Sequence, residues 1–132
     1  MREHTTNHRV RYDECDPMGL VHHSIYLQYF EIGRTELLRA WGGRYREMES
    51  AGQYVVVVRV DCRYRRPARY DDLIQIHTRI SKVSAGKIIH DYRITRDDEL
   101  LVEATVTLAV IDKDGKPQRV PQSLLEQYGD ES

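Results

Sequence analysis

Residues 11–38 read RYDECDPMGLVHHSIYLQYFEIGRTELL. The stretch changes character at Ser24. Before it, Asp16-Pro17-Met18-Gly19 makes a turn, because proline fixes φ and glycine tolerates positive φ. After it, Tyr26, Tyr29, Phe30, Gly33, Leu37 and Trp41 recur at spacings of three and four and form one apolar stripe. Gln28, Glu31, Arg34, Thr35 and Arg39 lie mostly off that stripe. The spacing predicts a helix over 24–41, roughly 27 Å long at 1.5 Å per residue. Gly33 costs such a helix about 1 kcal/mol against alanine, so its use points to close approach of a neighbouring element. Gly42 and Gly43 stop the helix.

The elements on either side follow from the same patterns. Residues 8–13, HRVRYD, alternate weakly and read as a first strand. A short helix is predicted over 45–51, ended by Gly52. Four strands come next. Residues 54–66 begin as a valine run and then alternate Val58, Val60, Cys62 and Tyr64 with charged neighbours, until Pro67 ends the ladder. Residues 73–83 put Ile74, Ile76 and Ile80 on one face, and 87–96 put Ile88, His90, Tyr92 and Ile94 on one face. Residues 100–111 do the same with Leu100, Val102, Ala104, Val106, Leu108 and Val110. SAGK at 84–87 and RDDE at 96–99 fall where hairpin turns are needed. A terminal helix is predicted over 121–128. Short connections imply an antiparallel sheet, and one long helix against it makes a two-layer α+β domain spanning 1–132. A five-stranded sheet curled around that helix resembles a hot-dog fold.

Composition narrows the function classes. Hydrophobic residues make up 40% and charged residues 31% of 132, the profile of a folded globular domain. Twenty Lys and Arg oppose 21 Asp and Glu, so a net basic field for nucleic acid is absent. No apolar run reaches the roughly 20 residues that span a bilayer. MREHTTNHRV contains no apolar segment and is not read as a signal peptide. Two cysteines, Cys15 and Cys62, make no disulfide framework and fit a cytoplasmic chain.

Reactive side chains are densest over 12–26, YDECDPMGLVHHSIY. A metal site is disfavoured in this stretch, because its two histidines are adjacent and not spaced i, i+4, and the cysteines add no paired motif. Cys15 reads as packing, since Asp13, Glu14 and Asp16 would repel its thiolate. Asp16 has two readings. It is either an aspartate capping a turn or a working carboxylate beside a helix N-terminus. Free N–H groups near His22 to Ser24 would polarise a carbonyl there, while the carboxylate attacks it or activates water. The residues alone leave both readings standing.

The same segment is similar to the signature of the 4-hydroxybenzoyl-CoA thioesterase branch of the hot-dog superfamily, and to the acyl-CoA thioesterases encoded beside the Tol-Pal system. The shared features are a strand ending in an aromatic residue, an acidic residue before Asp-x-x-Gly, an apolar pair, a histidine pair, Tyr26, and Glu31 with Arg34. RYRRPARYDDLIQIHTRI at 63–80 resembles the family's strand–turn–strand, and LLVEATVTLAVID at 100–112 its last strand. The resemblance implies an acyl-CoA thioesterase with Asp16 as the catalytic carboxylate and His23 contributing at the site. Gly19, His22, Tyr26 and Glu31 are the candidate substrate contacts, together with Tyr45, which reads either as a pocket wall or as core. No separate cofactor is implied, since coenzyme A is part of the substrate. It also implies a homo-oligomer, dimers pairing into a tetramer, with the acyl group entering at a subunit interface.

Two features keep a bland reading beside the functional one. Glu31 and Arg34 at i, i+3 read first as an ion pair on the helix surface. Arg59, Arg63, Arg65, Arg66 and Arg69 read either as a charged sheet edge or as phosphate ligands for coenzyme A, together with Lys87. Two other functions suit the fold: a hydratase or dehydratase, and a non-catalytic acyl or CoA-binding module. The acyl chain itself is not written in the sequence.

Overall fold

The computed structural model describes residues 2–129. In chain order the elements are β1 (Glu3–Arg9), a 3-10 turn (Tyr12–Glu14), α1 (Ile25–Ala40), α2 (Tyr45–Ser50), β2 (Tyr54–Tyr64), β3 (Leu73–Val83), β4 (Ile88–Arg96), β5 (Glu99–Ile111), β6 (Pro117–Gln118) and α3 (Gln122–Tyr128). The sheet order is β1-β3-β4-β5-β2, with β6 added on β5. Every pairing is antiparallel. This is the hot-dog arrangement, a sheet wrapped on one long helix.

The helix packs where its stripe predicts. Tyr26, Tyr29, Phe30, Gly33, Leu37 and Leu38 are its buried residues. They meet Ile74, Ile76 and Ile80 of β3, Ile88, Tyr92 and Ile94 of β4, and Val102, Val106 and Leu108 of β5 in one core. Gly33 is the contact point. A Cβ built there would run into Thr78 Oγ1 and lie 2.9 Å from Ile76 Cγ2, so only glycine lets the helix sit this close to the sheet. The 96–99 turn is tight: Asp97 and Asp98 both take positive φ, 50° and 67°, the handedness that short hairpins require.

Three details depart from the sequence reading. The first strand is Glu3–Arg9, not 8–13. Its inward residues, His4, Thr6 and His8, are polar, so no apolar alternation marks it. Arg11 donates its N–H to Glu14 Oε1 at 2.7 Å and turns the chain instead of extending it. In β5, Leu101 rather than Leu100 is fully buried. A bulge opposite Ile94 and Thr95 inserts one extra residue and turns Leu101 inward beside Val102. Finally, among the described residues, Glu31 makes no ion pair with Arg34. The Arg34 guanidinium instead lies 5.1 Å above the Tyr45 ring, a cation–π contact that competes with a solvated carboxylate.

The helix–sheet layer also encloses polar groups. His90, Tyr92, Tyr128 and Thr78 are buried, and His90 Nδ1 and Nε2, both tyrosine hydroxyls and Thr78 Oγ1 have no hydrogen-bond partner among the described residues.

Candidate active site

The site is built by the crossing between the 3-10 turn and α1. Glu14 is its anchor. Its Oε1 accepts the Arg11 N–H, the Tyr29 hydroxyl at 2.9 Å, and His8 Nε2 at 3.1 Å. Its backbone carbonyl accepts the His22 N–H at 3.0 Å. Burial works to raise the Glu14 carboxyl, but the Arg11, His8 and Tyr29 hydrogen bonds outweigh it and hold the group below its ordinary value. Tyr29 is pushed up, first by burial and then by Glu14, so it stays a donor.

Two residues on, Asp16 Oδ1 accepts the Met18 N–H at 2.9 Å and the Leu20 N–H at 3.2 Å. The turn-capping reading of Asp16 is therefore correct for one oxygen. Oδ2 has no partner among the described residues. Gly19 sits at φ +79°, a conformation the turn needs and a side chain resists. Leu20 and Val21 then bridge to the segment after Pro67: the Val21 N–H donates to Ala68 O at 2.9 Å, and the Tyr70 N–H to Gly19 O at 2.9 Å. The buried Tyr26 hydroxyl accepts the Ala68 N–H at 3.0 Å and locks the same segment from inside.

The His23 N–H, at the start of α1, has no acceptor among the described residues. The Ser24 side chain does not cap the helix; its hydroxyl pairs with His22 Nδ1 at 2.8 Å. Unsatisfied N–H groups at a helix start carry partial positive charge and suit a polarised carbonyl oxygen or an anion.

These parts border one open pocket of about 340 Å³. Asp16, His22, His23, Tyr26, Arg65 and Arg66 all line it, although they come from two stretches forty residues apart. Leu20, Val21, Tyr64 and Pro67 also line it. Tyr64 carried no role in the sequence reading. It ends β2, packs edge-on to Tyr26 with centroids 5.4 Å apart, and donates its hydroxyl to His23 O at 3.1 Å. No motif spacing joins 64 to 23, so only the fold reveals it. Gly19 shapes the turn without lining the pocket. Glu31, Tyr45, Arg59 and Lys87 lie off it. Tyr45 is packed under Arg34, Arg59 pairs with Asp61 on β2, and Lys87 is in the β3–β4 turn.

The arginines at the mouth are held by carboxylates, Arg65 by Glu103 at 2.9 Å and Arg66 by Glu99 at 3.3 Å. The Cys15 thiol is raised by burial and then by Glu14, Asp16 and Asp13, which suits packing and not nucleophilic attack. Among the described residues, no three His, Cys, Asp or Glu side chains gather as metal ligands would.

Residues 10–128 match the profile of the thioesterase-like superfamily. The chain belongs to that superfamily. The acyl-CoA thioester hydrolase YbgC of Escherichia coli is 30% identical over 122 residues, 91% of this chain and 91% of its own length. The acyl-CoA thioesterase YbgC of Haemophilus influenzae is 34% identical over 105 residues, 79% and 77% of the two chains. Among solved structures, the DHNA-CoA thioesterase of Staphylococcus aureus superposes with a TM-score of 0.92 at 27% identity, covering 97% of this chain and 89% of that one. The superfamily match spans the whole turn-and-helix unit just described. Among the described residues, no helix is long and apolar enough to cross a membrane.

Proposed function

We propose that this thioester hydrolase cleaves acyl-CoA to the free acid and coenzyme A. The observation that carries the reading is the placement of Asp16 and the unpartnered His23 N–H on one pocket at the start of α1. The relatives' named activities support it.

The chemistry follows from the placement. A thioester oxygen on the His23 N–H takes up developing negative charge where the helix field favours it. The carbonyl carbon then faces Asp16. Its carboxylate either attacks that carbon or takes the proton from an attacking water. The intermediate collapses by breaking the C–S bond; if Asp16 itself attacked, water then hydrolyses the resulting mixed anhydride, releasing the acid and restoring the carboxylate. Sulfur leaves as thiolate, an easier departure than that of an alkoxide because a thiol ionises far more readily than an alcohol. His23 acts through its backbone, and its exposed imidazole shapes the pocket beside His22, whose ring lies 4.3 Å away.

Arg65 and Arg66 hold the coenzyme A phosphates by exchanging Glu103 and Glu99 for them, since planar guanidinium forks suit both anions. The working form pairs two copies along β2. That strand is a sheet edge, and Val57, Val58, Val60 and Tyr64 are 45%, 55%, 37% and 50% exposed on it. The unpaired backbone of such an edge is a template for another strand, and Arg59, Asp61 and Arg63, exposed beside these apolar residues, would select a partner strand of matching charge. Pairing would place the partner beside the pocket and bring in the acyl-binding wall this chain lacks. Within the superfamily we place the chain with the 4-hydroxybenzoyl-CoA and Tol-Pal-associated thioesterases that its 11–38 segment resembles.

The test is thiol release from short, medium and long acyl-CoAs and from benzoyl- and 4-hydroxybenzoyl-CoA, with Asp16→Asn alongside. The amide oxygen of asparagine still accepts from Met18 and Leu20, so the turn survives. Turnover should fall about 10²–10⁴-fold, the usual worth of a positioned general base. A folded Asp16→Asn variant with full activity would overturn the assignment.

A further inference from the structure

The pocket's N–H donor is held by peptide groups on both sides of it. On one side the His22 N–H donates to Glu14 O at 3.0 Å. On the other the His23 carbonyl accepts the Tyr64 hydroxyl at 3.1 Å. The peptide between these two anchors carries the His23 N–H, which has no acceptor among the described residues. We infer that Tyr64 is a positioning residue: by gripping the His23 carbonyl it aims the His23 N–H into the pocket. This rests on the thioesterase reading above, in which that N–H receives the thioester oxygen.

Three observations make Tyr64 fit for the role. Its backbone is fixed, since it closes the β2–β5 ladder opposite Val102. The next two N–H groups, of Arg65 and Arg66, both donate to Leu101 O, at 2.8 and 3.0 Å. Its ring is fixed by the edge-on contact with the buried Tyr26. Its hydroxyl remains a donor at any working pH, because burial and then the Cys62 contact push it up to about 12. The bond also crosses elements. β2 supplies the donor and the turn leading into α1 the acceptor, so the end of an exposed edge strand sets the geometry of the helix start. A grip of this kind matters because oxyanion donors act by being prealigned; a small misplacement costs rate without costing binding.

The experiment uses the full chain and two readouts. Tyr64→Phe removes only a hydroxyl from a half-exposed ring. With whichever acyl-CoA proves to be turned over, kcat should fall about tenfold, well short of the 10²–10³ lost when an oxyanion donor is removed. KM should stay within about twofold, because the contacts of the rest of the acyl-CoA are untouched, and the melting temperature should not move. The second readout is the carbonyl stretch of the acyl-CoA thioester bound to Asp16→Asn, followed by difference infrared spectroscopy. A helix-start donor should shift that band to lower frequency, and adding Tyr64→Phe should return it part of the way toward the value in water. An unshifted band in Asp16→Asn would count against the thioesterase geometry itself. A shifted band that Tyr64→Phe leaves alone, or a kcat that does not change, would overturn the positioning role and leave the thioesterase reading intact.

Discussion

The Tyr29 hydroxyl donates to Glu14 Oε1 at 2.9 Å, across fifteen residues of chain. The bond ties the second turn of α1 to the residue that also binds the His22 N–H through its carbonyl. Glu14 therefore holds, through its carboxylate and its carbonyl together, both the loop of Asp16, two residues after it, and the helix start beside Asp16. His8 completes the set from β1, at 3.1 and 3.2 Å from the two carboxylate oxygens.

Glu14→Gln should lower both stability and turnover. Glutamine keeps the volume and, with its oxygen in the Oε1 place, the Arg11 and Tyr29 bonds, but it removes their charge assistance and turns the Oε2 acceptor into a donor that faces His8 Nε2. A buried donor facing a donor costs about 1–3 kcal/mol. Urea unfolding should show a loss in that range, with turnover reduced because the Asp16 loop loosens. The sign with pH follows from the direction of the shift. The folded Glu14 carboxyl lies below its ordinary value, so its stabilisation is present above the unfolded pKa and is lost as pH falls below it. Equal stability of variant and parent at pH 7 would remove Glu14 from its anchoring role.

Gly33→Ala should destabilise, although alanine is the better helix former by about 1 kcal/mol. The new methyl would meet Thr78 Oγ1 and Ile76 Cγ2, with Tyr92 Cε1 at 3.4 Å. These belong to β-branched or ring side chains in a closed core, so they cannot swing away. Overpacking of this kind costs about 1–3 kcal/mol, which outweighs the propensity gain. Denaturant midpoints decide it, and a more stable Gly33→Ala variant would show that the helix has room to lift off the sheet.

These residues also show what the sequence could and could not disclose. Gly33 was legible, because a glycine inside a strong apolar stripe needs a reason. The helix and β3 to β5 were legible because their inward residues are apolar at the correct period. β1 was not, since His4, Thr6 and His8 face inward and leave no apolar alternation. The Leu101 bulge was invisible for a related reason: neighbouring leucines satisfy either register. In the site, Asp16, Gly19, His22, His23 and Tyr26 are contiguous and could be read as a unit. Arg65 and Arg66 were found only through charge. The grips of Tyr64 on His23 and of Tyr29 and His8 on Glu14 join residues 6 to 41 positions apart at no recurring spacing, so they exist only after folding.

His90 supplies a pH-dependent contribution to stability that can be isolated. It is fully buried, with neither ring nitrogen partnered among the described residues. Burial, and secondarily Arg34, holds its pKa down at about 3. Tyr92 and Tyr128 also face it, with ring centroids 5.9 and 6.4 Å away, and both are pushed up by burial, so they stay neutral. The folded pKa lies below the unfolded value of 6.5. The unfolded chain therefore takes up the proton first, and stability is lost as pH falls from 6.5 toward 3. The slope approaches about 1.4 kcal/mol per pH unit in that window. Glu14 acts in the same direction, but only below its ordinary 4.5. His77 is also lowered, by burial and then Arg93, and it is present in both proteins being compared. Urea unfolding of the parent and of His90→Leu at pH 7, 6 and 5 therefore isolates His90. The parent should lose more stability than the variant between pH 6.5 and 5. Parallel curves would mean that water or another group already satisfies the ring.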